Sequence, residues 1–191
     1  MWRRENLVNN FYKIAENFKN KFLMLGPNYT FKKKQKGKIV KKKTISGASM
    51  FINCEVFDRI GGFDEKIFLY FEENDLCKRG NLKKYYSYII NTQRVSHNIG
   101  SSVDTKNLRE KENLKKLTQW HFIWSKYYYF QKHYGQLLSL IIFTPTIIRI
   151  IYRLILYKIK NDKKSYLKYY TRYSGLKASI LKKKSNMRVI I

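Results

Sequence analysis

Acidic residues are scarce in this chain. Thirteen Asp and Glu face forty Lys and Arg over 191 residues, a formal net charge of +27. Such a balance argues against acidic-protein chemistry and favours anionic partners: phospholipid headgroups, nucleic acid or phosphorylated substrates. Coding bias toward lysine is the bland source of the same charge. Cysteine is limited to Cys54 and Cys77, with no C-x-x-C pair. That speaks against a zinc ligand set and a disulfide framework, and a reducing cytosol is the simpler compartment. The N-terminus, MWRRENLVNNFYKIAENF, is too polar for a secretory signal peptide. Apolar residues at 44% and aromatics at 16% exclude global disorder, and the length fits one ordinary domain.

Several elements are readable. Leu7, Phe11, Ile14, Phe18 and Phe22 recur at helical spacing, predicting a helix over Glu5 to Leu25 that Gly26 and Pro27 end. FKKKQKGKIVKKK follows as a basic loop, a phosphate or lipid contact or a solvated segment. CEVFDRIGG reads as a short helix closed by a glycine cap, KIFLYF as a strand, and EENDLCKRG as a helix with acids in its first turn. YYSYII continues as a strand into a loop. Leu114, Leu117, Trp120, Trp124 and Tyr127 or Tyr128 mark a later helix. The apolar run Leu137 to Ile148 is short of the ~20 residues a spanning helix needs, and Arg149 and Arg153 share a face beyond it. An amphipathic helix in the membrane interface is expected there, with burial against the domain as the alternative, and Pro145 is expected to kink it. A basic, tyrosine-rich helix closes the chain.

Seven of the thirteen acids lie between Glu55 and Asp75. Glu72, Glu73 and Asp75 are the tightest group, where the predicted strand meets the predicted helix. Clustered carboxylates raise one another's pKa, which suits a general base. The plainer reading makes Asp75 and Arg79, four apart, a helix salt bridge and Glu72 or Glu73 a helix cap.

The stretch ISGASMFINCEVFDRIGGFDEKIFLYFEENDLCKRG, with VSHNIGSS beyond it, resembles the second half of a family 2 glycosyltransferase. The closest likeness is to the rhamnosyltransferase-like members that build bacterial surface polysaccharide. The family pattern is a Gly-Ala pair, a Gly-Gly-Phe-Asp-Glu turn, an aromatic strand and an acidic Glu-Asp-x-Asp-Leu motif. Gly47-Ala48, Gly61 to Glu65, Phe68 to Tyr70 and Glu72 to Leu76 follow that order, and His97, Gly100 and Ser101 match a downstream motif. KHYG, Lys132 to Gly135, is similar to the family's C-terminal helices. The resemblance covers Lys43 to Gly135 well and the tail loosely.

The resemblance implies an α/β chain, a truncated GT-A fold lacking its N-terminal nucleotide-binding half and carrying a largely helical C-terminal region. Its parts would be an N-terminal helix and basic loop (1–43), the acceptor-side half (44–103) and a basic, membrane-associating helical region (104–191). It implies inverting transfer of a sugar from a nucleotide-sugar donor to a glycan or lipid-linked acceptor. Glu73 takes the position of the family base, where Asp is usual, with Glu72 or Asp75 able to share the role. Gly47, Ala48, Asp64, Glu65 and Arg79 fall to substrate binding, and His97 to the divalent metal, Mg or Mn. The D-x-D motif that would hold this metal has no place upstream, because the first aspartate is Asp58. A separate donor-binding polypeptide, an anionic membrane surface and a place on the cytoplasmic membrane face are the expected partners and location. The rival reading is a non-catalytic membrane-surface or nucleic-acid-binding protein; for nucleic acid, no RRM, KH or zinc pattern appears and the aromatics do not interleave with the lysines.

Overall fold

The structure, a computed structural model, describes residues 39–92, 95 and 107–188. The expected helix over Glu5 to Leu25, most of the basic loop and the His97 to Ser101 motif lie outside these residues.

The elements are β1 (Ile39–Lys42), α1 (Cys54–Ile60), α2 (Glu72–Leu82), β2 (Ser87–Ile90), α3 (Leu108–Tyr134), α4 (Gln136–Ile159) and α5 (Lys163–Ile180). β1 and β2 pair antiparallel, with Ile39 opposite Ile90 and Lys42 opposite Ser87. Within FKKKQKGKIVKKK, IVKK is therefore a strand and not loop, because Val40 finds a partner in Ile89. Among the described residues this pair is all the β-structure, so the α/β class implied by the resemblance rests on two strands.

Local chemistry fixes the ends of the helices. The Asn53 side chain accepts a hydrogen bond from Val56 N at the start of α1, and Gly61 ends it at φ 89°, a left-handed conformation glycine adopts without strain. Asn107 opens α3 with a reciprocal cap: its Oδ1 accepts from Glu110 N and its Nδ2 donates to Glu110 Oε1, both at 2.9 Å. Asp162 caps α5 through Ser165 N at 3.0 Å.

The predicted strand Lys66–Phe71 does not form. Tyr70 and Phe71 take φ of 67° and 70°, which no strand tolerates. Its aromatics turn toward α3 instead. Phe71 meets Phe122 and Tyr129, Tyr70 meets Phe122, and Ser125 Oγ donates to Leu69 O at 2.8 Å. Burial against a helix outweighs the β-preference of the residues.

α3, α4 and α5 pack around Ile123, Tyr127, Phe143, Ile150 and Leu176. Gly175 lets α5 approach α3 closely: a Cβ there would stand 2.7 Å from the Trp120 carbonyl oxygen and 2.9 Å from Ile123 Cγ2. Ser179 Oγ donates to Trp124 O at 2.9 Å across the same seam. α4 is one helix of 24 residues through Pro145, so it does have the length of a membrane span, contrary to the short-run argument.

Candidate functional site

The head of α2 carries the three acids expected to converge, and it divides them. In a helix Glu73 and Asp75 point about 200° apart, since each residue turns about 100°. Asp75 faces α3 and is fully buried. Arg79 Nε donates to it at 2.7 Å, and Lys132 Nζ and His133 Nε2 each lie 2.8 Å from its Oδ1. Burial alone would raise its pKa, but the hydrogen bonds from His133, Lys132 and Arg79 win and hold it well below the usual carboxylate range. A carboxylate so neutralised is a poor proton acceptor. Asp75, expected to share the role of base, sits at the centre of a staple between α2 and α3.

Arg79, expected to bind substrate, is engaged in the fold: its guanidinium donates to Asp75, to Ile60 O at 2.7 Å and to Gly62 O at 2.6 Å, so it joins α2 to the end of α1. Asp64, in the turn before the aromatic run, accepts from Lys132 Nζ at 2.7 Å, Tyr128 Oη at 2.8 Å and Lys66 N at 3.0 Å. Burial pushes its pKa up, while Lys132, the Lys66 amide and Tyr128 together pull it below normal. Asp64 therefore anchors the turn to α3. Glu65 lies exposed on that turn.

The other side of the α2 head differs. Glu72 Oε2 and Glu73 Oε2 are buried atoms without a hydrogen-bond partner. Burial raises the Glu73 pKa; a bond from its own amide pulls it partly back, and the charge of Glu72 pushes it up again. The turn holding Gly47 and Ala48 lies against this side, because a Cβ on Gly47 would stand 4.0 Å from Glu73 Cβ. Ala48 itself is exposed, its amide bonded to Ser46 Oγ at 3.3 Å. Asn81 Nδ2 ties the approach to that turn by donating to Lys43 O at 3.0 Å while also donating to Cys77 O at 2.7 Å. Tyr70 flanks the pair: burial raises its pKa, Thr118 lowers it through a hydrogen bond, and the Glu72 charge raises it.

No protein-family model, curated protein or solved structure matches this chain.

The structure thus brings Glu72, Glu73 and Gly47 together, and separately joins Asp64, Asp75 and Arg79. Lys132, His133 and Tyr128 complete the second group and were not singled out as site residues. For Lys132 and His133 the signal is the KHYG resemblance at the end of a periodic helix, and for Tyr128 only its place in that helix; nothing in the spacing pairs them with acids 57 or more residues upstream. His97 lies outside the described residues. Among those residues no three His, Cys, Asp or Glu are placed to hold a metal ion. Asp64 and Asp75, which share Lys132, already have cationic partners and offer a divalent metal no free carboxylate. Two hollows, one along α4 and one in the α4–α5 crevice, are not lined by Glu73.

Proposed function

We propose that this chain is the acceptor-activating half of a sugar transferase and that Glu73 is its base. The observation that carries the reading is the unpartnered Glu73 Oε2, buried at the head of α2 beside the Gly47 turn, in a carboxyl group whose pKa is raised. A carboxylate poised above its ordinary pKa accepts a proton more readily than a neutralised one. The order of the Gly47-Ala48, Gly61 to Glu65 and Glu72 to Leu76 motifs supports the same reading.

In the reaction, the acceptor O–H bond breaks and its proton passes to Glu73. The acceptor oxygen forms a bond to the anomeric carbon as the bond from that carbon to the nucleotide diphosphate breaks, and the leaving diphosphate keeps the electron pair. The donor is a nucleotide sugar, supplied by a donor-binding polypeptide; the acceptor is a glycan or a lipid-linked sugar. Asp75, Arg79, Asp64 and Lys132 hold the α2 head in place and take no proton.

The test is sugar transfer by the full chain reconstituted with a donor-binding polypeptide. Glu73→Gln should lower turnover by about 10²- to 10⁴-fold, the usual worth of a general base. Normal transfer by that variant would remove Glu73 from the mechanism.

A further inference from the structure

We infer that the outer face of α4 inserts, parallel to the surface, into an anionic lipid bilayer. This does not depend on the transferase reading. Leu137, Ile141, Ile148, Tyr152, Ile155 and Ile159 are between 56% and 80% exposed. At 100° per residue all six fall within an arc of about 60°, a stripe running the ~36 Å of the helix. So long an exposed apolar stripe is unusual on a protein that stays in water.

The charges around the stripe define the orientation. Arg149 lies roughly 90° to one side of its centre and Lys158 roughly 90° to the other. Residues 136–159 contain no acid. Cations on both flanks of an apolar stripe sit at headgroup level when the helix lies flat and the stripe faces the acyl chains. Arg149 and Arg153 also rim the open hollow formed with Ile141, Pro145, Ile148 and Tyr152, so the cationic and lipid-facing groups are contiguous.

Two other occupants fit less well. A spanning α4 would place Arg149 near the bilayer centre, where a charged side chain is costly. It would also draw in α3 and α5, which pack on its back through Phe143 and Ile150 and carry lysines of their own. A second copy pairing stripe to stripe would bring Arg149 and Lys158 flanks together with no acid on either helix to offset them. An anionic surface complements a chain of net charge +27.

The experiment is flotation of the purified full chain with preformed vesicles, of phosphatidylcholine alone or with one-third phosphatidylglycerol, at low and high salt. The chain should bind the anionic vesicles. High salt should weaken that binding and leave a salt-resistant remainder. Ile148→Glu with Ile155→Glu, both at exposed positions, should keep the helical circular dichroism and lose at least about tenfold in affinity. Arg149→Gln with Lys158→Gln should weaken binding to the anionic vesicles alone. As a check that does not rest on a disruptive change, Tyr152→Trp should add blue-shifted fluorescence that brominated lipid quenches. Absence of vesicle binding, unchanged binding by the double Glu variant, or an unquenched Trp at position 152 would each overturn the inference. So would a salt-resistant dimer that vesicles do not dissociate, or protease-protected crossing of the bilayer by α4.

Discussion

Glu73 and Asp75 are two residues apart on one helix and meet opposite environments. Asp75 is fully buried among Arg79, Lys132 and His133, and Glu73 has a buried oxygen with no partner. Both carboxyls lose water, but only one is given cations in return. Burial therefore leaves one pKa high and the other low, and the sign is set by what stands opposite, not by burial itself. The side with cations stabilises the α2 head, and the side without them carries the proposed base.

The largest effect that would sharpen this contrast is Asp75→Ala. It leaves Lys132, His133 and Arg79 facing one another across a buried gap and should cost about 3–5 kcal/mol, read by urea unfolding. A loss under 1 kcal/mol would mean that the staple does not bind α2 to α3. Next is Arg79→Gln, which frees the carbonyls of Ile60 and Gly62 and weakens the hold on Asp75. A loss of about 2–3 kcal/mol is expected in the same measurement. Tyr128→Phe removes one donor to Asp64 and should cost about 1 kcal/mol. Glu73→Gln should move the other way at neutral pH, gaining up to about 1 kcal/mol, because it removes an unpaired, desolvated charge.

The pH dependence separates the two groups by sign. The folded-state pKa of Asp75 lies below its ordinary 3.8, so its stabilisation is present above that value and lost as pH falls through the folded pKa. The folded-state pKa of Glu73 lies above its ordinary 4.5, so the cost of ionising it is absent below 4.5 and fully felt above the folded pKa. The gain from Glu73→Gln should accordingly fade on acidification toward pH 4.5, as followed by unfolding curves at a series of pH values.

Much of this was legible in the residues, and the failures have physical causes. The Gly61 cap, the acids in the first turn of α2 and the spacing of Asp75 and Arg79 are local signals, and local signals survive folding. The aromatic run Lys66–Phe71 failed as a strand because α3 offers its rings a better surface than a neighbouring strand would. IVKK was hidden among lysines, and only pairing with Ser87–Ile90 makes it a strand. The partnership of Asp75 with His133 spans 58 residues and depends on how α3 docks. The division of the three acids, by contrast, was available in principle, since helical geometry alone sends Glu73 and Asp75 to different sides.

The central claim is that the α2 head holds one carboxyl in reserve and one in harness. A carbon-13 NMR titration of the Glu and Asp side-chain carboxyls in the intact chain tests it most directly. The Glu73 signal should titrate above 4.5 and that of Asp75 should stay ionised well below 3.8. If Glu73 titrates at or below its ordinary value, or the two titrate together, the division does not exist and Glu73 loses its claim to be the base.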